Sequence, residues 1–252
     1  MDRYVSALCT AAALGLGAGG VQAASLTVTD ISGAWSSWTG GTAVAAGAQG
    51  STAQLRWGIP TDSNKSGYDF TPSAPPLTPA QDTDFDLGTF THLNFPIQLN
   101  NGITGATLDV SFTFYLGSDS SNLMTRKSQF VFDHLETTNN AAPCADGGSV
   151  GEGVNANGCA DRVRVVTNPS ATESFEVVEN GVKRNYIFAV TGFDVGDPFW
   201  TAEKAENSAV LRARYTYDES VQPAPVPVPA AGWLLLAGIG GLAAASRRRK
   251  SG

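Results

Sequence analysis

The sequence predicts an all-β fold: a single β-sandwich of jelly-roll or Greek-key type over residues 24–220. Three observations carry that prediction. Segments alternating apolar and polar residues recur along this stretch, the period-two signature of half-buried strands. Gly, Asn and Pro punctuate them at short intervals, as turns between strands require. No long run has helical periodicity and no repeat of fixed period is visible, which points to a sandwich and argues against a solenoid.

The elements follow in order. Residues 26–31 and 53–57 are short candidate strands. The stretch 60–81 holds five prolines and reads as a surface loop, because proline removes a ladder donor. Residues 107–116 (TLDVSFTFYL) alternate without a break. Leu108, Val110, Phe112, Phe114 and Leu116 point to a core, and Asp109, Ser111, Thr113 and Tyr115 away from it. A short strand is expected at 129–132. A second long loop, 137–158, carries Cys144 and abuts Cys159. After a strand at 162–167 (RVRVVT), residues 175–178 and 186–190 flank Asn180-Gly181, a dipeptide that supplies positive φ in a tight turn, so they read as a hairpin. A brief helix is expected at 200–206, and 209–217 reads as the closing strand. The total is eight to ten strands.

Both ends read as targeting segments. Residues 1–23 combine Arg3, an Ala/Leu-rich run from Val5 to Leu16, and Val21-Gln22-Ala23. That is a signal peptide cut between Ala23 and Ala24. Its apolar run is shorter than the roughly 20 residues a membrane span needs, which disfavours an uncleaved anchor. Residues 221–229 (VQPAPVPVP) form a Pro-rich spacer. Residues 230–245 follow without a charge, then Arg247, Arg248, Arg249 and Lys250, the arrangement of a hydrophobic helix in a membrane with its basic end in the cytoplasm.

Removal of the leader takes Cys9 with it, leaving Cys144 and Cys159. In an oxidising compartment two such thiols are expected to form a disulfide, and metal binding by two lone cysteines is the weaker reading. The chain carries a formal −7, but five of its 16 basic residues and only one of its 23 acidic residues lie in the ends. The centre therefore carries eleven basic against twenty-two acidic residues, a net −11. No basic run remains to neutralise phosphates, which disfavours nucleic-acid binding.

Several constellations are candidates for chemistry. Asp82, Asp84 and Asp86 stand at alternate positions and offer oxygen ligands for calcium. In a strand all three point one way, so they repel unless a cation or solvent intervenes; the other reading is a solvated acidic edge. Glu203 and Asn207 are further donors if the fold brings them near. His92 and Asn94 share one strand face in Thr91-His92-Leu93-Asn94. They suit sugar hydroxyls or a metal, or else hydrogen bonds that fix the fold. His134 is the only other histidine, so a metal centre with several histidines needs carboxylates as well. Trp35, Trp38, Trp57, Phe199 and Trp200 are either a sugar-stacking platform or core. No G-x-S-x-G, H-E-x-x-H or phosphate-binding glycine loop is present, and no cofactor is expected beyond calcium.

The tail Val226-Pro227-Val228-Pro229-Ala230, then Ala231-Gly232-Trp233-Leu234-Leu235-Leu236, then the arginine run, resembles the VPLPA variant of the PEP-CTERM sorting signals. Val228 stands where that variant usually has Leu. The resemblance implies processing by an exosortase-type membrane protease. Thr91-His92-Leu93-Asn94 resembles the motif of the THxN family of PEP-CTERM proteins. Leu55-Arg56-Trp57-Gly58, the frame from Phe90 to Ile97 and Thr201-x-Glu203-x-x-x-Asn207 agree with it. That family implies a surface location and no enzymatic activity. The expectation is therefore a non-enzymatic exported surface or matrix protein, associated with exopolysaccharide. A carbohydrate-binding module, calcium-assisted or not, is the alternative, and a polysaccharide hydrolase a remote one.

Overall fold

The structure, a computed structural model, describes residues 25–167, 173–179 and 182–220. Twelve strands follow one another there. They are β1 (Leu26–Gly40), β2 (Ala45–Gln49), β3 (Thr52–Trp57), β4 (Ser66–Pro72), β5 (Phe85–Asn94), β6 (Ile103–Leu116), β7 (Met124–Leu135), β8 (Asp161–Thr167), β9 (Glu173–Glu179), β10 (Val182–Phe193), β11 (Phe199–Thr201) and β12 (Ala205–Ser220). The only helix among the described residues is a 3₁₀ turn, Gly153–Asn155. The strands form a sandwich of two antiparallel sheets, ordered β1-β6-β7-β8-β11 and β2-β3-β4-β5-β12-β10-β9. Most neighbours are consecutive hairpin partners. The pairs between strands not consecutive in the chain are β1 with β6, β5 with β12, β10 with β12, and β8 with β11.

The strongest sequence signal became the spine of the first sheet. The five apolar residues of β6, Leu108 to Leu116, are all buried, and the residues between them are partly exposed. Leu108 stands opposite Trp35 of β1 and Phe130 of β7. Across the sandwich, Phe112 stacks on Phe188 of β10 with ring centroids 4.4 Å apart, and Phe90 of β5 on Phe132 of β7 at 5.0 Å. Phe70 of β4 lies between two backbones that carry no side chain. A Cβ on Gly33 would collide with one side of its ring, and a Cβ on Gly88 would come within 2.6 Å of the other.

Four expectations are corrected. The segment 200–206 is not a helix. It is β11, a turn through Lys204 at φ 57°, and the start of β12. Asn207 holds that turn, since its Oδ1 accepts from the Ala202 amide at 2.8 Å and its Nδ2 donates to the Ala202 carbonyl at 3.0 Å. The Pro-rich stretch 60–81 is not all loop, because β4 lies inside it and buries Tyr68 and Phe70 between β3 and β5. The first strand runs to Gly40 rather than Ile31, and the exposed edge strand β2 had no sequence signal. The strand count is accordingly above ten.

The disulfide between Cys144 and Cys159 is formed, with Cα atoms 5.3 Å apart. The hairpin of β9 and β10 is present, with Tyr186 opposite Phe175; its turn, Asn180-Gly181, lies outside the described residues. So do the signal peptide with its Ala23/Ala24 cut, the Pro-rich spacer, the sorting motif Val226 to Ala230 and the apolar tail. Among the described residues no helix is long and apolar enough to cross a membrane.

Candidate functional site

Strand β5 turns alternate side chains into the sandwich: Phe90, His92 and Asn94 are all buried. Phe90 meets aromatic rings, but His92 and Asn94 bring polar atoms into the interior at one end of the sandwich, both at 0 % exposure. There the chain must supply partners, because an unmade buried hydrogen bond costs about 1–3 kcal/mol. Thr201 of β11 supplies two. Its carbonyl accepts from Asn94 Nδ2 at 3.0 Å, and its Oγ1 lies 2.8 Å from His92 Nδ1.

The tautomer of His92 follows from proton counting. The Thr201 hydroxyl donates its one proton to the Asp161 carbonyl, 3.1 Å away, and a carbonyl can only accept. The His92 Nδ1 must therefore carry hydrogen and donate to Thr201. Its Nε2 is left as a bare lone pair, fully buried and without a hydrogen-bond partner. Burial, with the neighbouring His134, holds His92 well below the usual imidazole range, so the ring is neutral.

His134 of β7 faces it, with ring centroids 5.2 Å apart and planes perpendicular. The His134 Nδ1 shares a 2.7 Å hydrogen bond with the Tyr68 hydroxyl, which crosses between the sheets, and its Nε2 lies 3.4 Å from Glu136 Oε2. Asp161, at the start of β8, accepts the Thr137 amide on Oδ1 at 2.7 Å, while Oδ2 has no partner. Glu203, in the turn before β12, is fully buried with neither carboxylate oxygen hydrogen-bonded. Burial first, then the negative charge of Glu136, raises Asp161 to about 7, against the opposing pull of His134. Burial, then Asp161 and Glu136, raises Glu203 to about 8, with Lys204 and the nearby Asn139 side chain opposing.

One ligating atom from each of His92, His134 and Asp161 lies within 4.8 Å of the others, and the same holds for Glu136, Asp161 and Glu203. Asp161 belongs to both groups, so the donors form one continuous cluster of two imidazoles and three carboxylates. Two glycines make room for it. A Cβ on Gly102 would come within 2.7 Å of Glu136, and one on Gly158 would press on Glu203 at 3.2 Å. Trp57 of β3 closes one wall, its ring stacked on His92 at 5.9 Å. An open groove of about 630 Å³, lined by Gln98, Asn100, Thr104 and Thr138, reaches His134 and Glu136 from solvent. The disulfide-stapled loop forms the roof: Thr137 holds Asp161, and Asn157 Nδ2 donates to the Glu203 carbonyl at 3.4 Å.

The acidic triplet lies elsewhere. Asp84 and Asp86 meet Arg214 at 2.8 Å and Arg212 at 3.3 Å on neighbouring β12. Among the described residues, Asp82, Asp84 and Asp86 join neither cluster able to hold a metal. The positive charge that separates Asp84 from Asp86 is supplied by the protein itself. The aromatic candidates do not form one platform. Trp35 and Trp57 are core, Trp38 is 40 % exposed, and Phe199 and Trp200 are half-buried on β11. A separate apolar cavity of about 220 Å³ lies against Phe90, Phe130, Phe132 and Phe193.

Sequence reasoning singled out His92, Asn94, Glu203 and Asn207, and the fold brings all four to this centre, Asn207 by shaping the turn that presents Glu203. It did not find Glu136 or Asp161, nor place His134 or Tyr68 beside His92. These come from three other parts of the chain, β4, the end of β7 and β8, and no local pattern marks them. The residues that resemble the THxN family converge here too, with Thr91 outward, bonded to Ser208 at 2.9 Å. No family model matches the chain, and no curated protein matches it significantly.

Proposed function

We propose that this is a non-enzymatic, exported surface or extracellular-matrix protein, delivered by a signal peptide, sorted through its C-terminal tail by an exosortase-type membrane protease, and associated with exopolysaccharide. The observation that carries this reading is the disulfide between Cys144 and Cys159. Such bonds persist in oxidising compartments outside the cytosol, where the two targeting segments would send the chain. The burial of His92 and Asn94 adds support, since each makes a hydrogen bond to Thr201 inside the fold. We read the strand order as Greek-key or jelly-roll kin on the long-range pairs of β1 with β6 and β5 with β12.

The test expresses the full chain, tagged at its C-terminus, in Gram-negative cells with and without an exosortase-type protease. The reading expects an N-terminus at Ala24, and loss of the tag only where the protease is present. Tagged protein in the cytosol with residues 1–23 intact overturns it. A second reading, a carbohydrate-binding module, draws on the open groove beside Gln98, Asn100 and Thr138. Binding of the same protein to a glycan array, with and without EDTA, separates the two.

A further inference from the structure

We propose that the buried end of the sandwich is a binding site for one divalent transition-metal ion, zinc being the best match, held by His92, His134 and Asp161, with Glu203 and Glu136 beside Asp161. The proposal is independent of export and sorting, and stands or falls separately from them.

Four features of the site carry it. The first is donor placement. The donor atoms of His92, His134 and Asp161 lie within 4.8 Å of one another, close enough for small side-chain shifts to bring them to bonds of about 2.0–2.2 Å around one zinc, with a fourth position left open. The second is unspent capacity. His92 Nε2, Asp161 Oδ2 and both Glu203 oxygens lack hydrogen-bond partners, on three side chains at 0 % exposure. The third is preparation of the imidazole. A metal-bound histidine characteristically donates its other ring N–H to a fixed acceptor, and His92 does so through Nδ1 to Thr201. The fourth is charge. Asp161 and the adjoining Glu203 together balance a divalent cation, and imidazole ligates a metal in its neutral form, adding donors without adding charge. Two nitrogen donors select against calcium and magnesium, which take oxygen ligands. The pairing of Cys144 with Cys159 removes the described thiols from competition. Access comes through the groove that ends at His134 and Glu136.

The site also joins parts that are otherwise separate: His92 from one sheet, His134 and Asp161 from the other, and Glu203 from the turn between them. Metal binding should therefore register in stability.

The test uses the full chain in detergent, with a histidine-free tag and Cys9→Ser, stripped with EDTA and titrated with zinc chloride or cobalt chloride. The proposal expects one zinc per chain. It also expects melting to rise by about 5 to 10 °C at about a hundredfold excess over Kd. Because the chain has two histidines, cobalt should produce two shifted imidazole N–H signals in the proton NMR spectrum, a readout that needs no variant. Asp161→Asn keeps shape while removing a ligand charge and should abolish the zinc-dependent melting shift, and Glu203→Gln, which removes the adjoining charge, should reduce it. Thr201→Val, which frees the His92 ring, should weaken zinc by about 10- to 100-fold. The proposal is overturned if folded, disulfide-bonded protein binds no more zinc than Asp161→Asn, if cobalt leaves both imidazoles unshifted, or if the two carboxylate variants bind zinc as tightly as the parent.

Discussion

Phe90 and His92 stand two residues apart on one face of β5, yet they face two different interiors. Around Phe90 the sandwich is filled by rings, with Phe132, Phe193 and Tyr68 at centroid distances of 5.0 to 5.6 Å. Such packing is collective, and each contact adds a small, non-directional gain. Around His92 the interior holds Asn94, Thr201, His134, Asp161 and Glu203, all buried. Every polar atom there needs a particular partner at a particular angle. The apolar middle tolerates many sequences of similar volume; the polar end tolerates few. A buried end that retains unpartnered imidazole and carboxylate atoms weakens the fold unless something else is bound, which is why the ligand site is sought there and not in the aromatic core.

The sharpest way to break the comparison is to cut the middle. Phe132→Ala removes a ring that stacks on Phe90 and should lower unfolding free energy by about 3–5 kcal/mol, measured by urea denaturation. A loss below that of the disulfide would show that the aromatic middle does not dominate. Next is the roof of the polar end. Replacing Cys144 and Cys159 by Ser should lower stability by about 3 kcal/mol for a loop of 15 residues' separation. Unlike Phe132→Ala, it should also loosen the Thr137 hold on Asp161, visible as faster hydrogen exchange of the Thr137 amide.

A third experiment probes the buried acids in metal-free protein. Asp161 and Glu203 titrate at about 7 and about 8 when folded, above the ordinary carboxylate range that applies when unfolded. The unfolded chain therefore loses these protons first. Their contribution to stability is complete below about pH 4 and declines as pH rises, levelling off above about pH 8. Melting should fall between pH 5 and pH 8.5, and Glu203→Gln should flatten that fall. A melting temperature that rises over this range in the parent, but not in the variant, would reverse the assignment. The smallest effect belongs to the surface row. Asp84→Asn breaks a half-exposed pair with Arg214 and should cost less than about 1 kcal/mol, with the loss shrinking further in high salt.

What could be read before folding was local. The β6 pattern from Leu108 to Leu116, the hairpin strands of β9 and β10 and the pairing of Cys144 with Cys159 all rest on neighbours in sequence, on strand periodicity or on a count of two thiols. Local reading failed where tertiary contacts overrode it. The 200–206 stretch became strand and turn because β11 pairs with β8 and Asn207 organises the corner. The SGYDFTP segment became β4 because it has partners on both sides. Alternation along β5 showed that His92 and Asn94 share a face, but not that this face is the interior.

Composition and strand alternation were properties of the chain as written, because both are read from the residues in order. The polar centre was not, because it needs His92, His134, Asp161 and Glu203 to meet across separations of up to 111 residues. Only the register of β4, β5 and β12 in one sheet, and of β7, β8 and β11 in the other, brings them together. A one-residue slip of β5, β7 or β8 would turn His92, His134 or Asp161 to the opposite face.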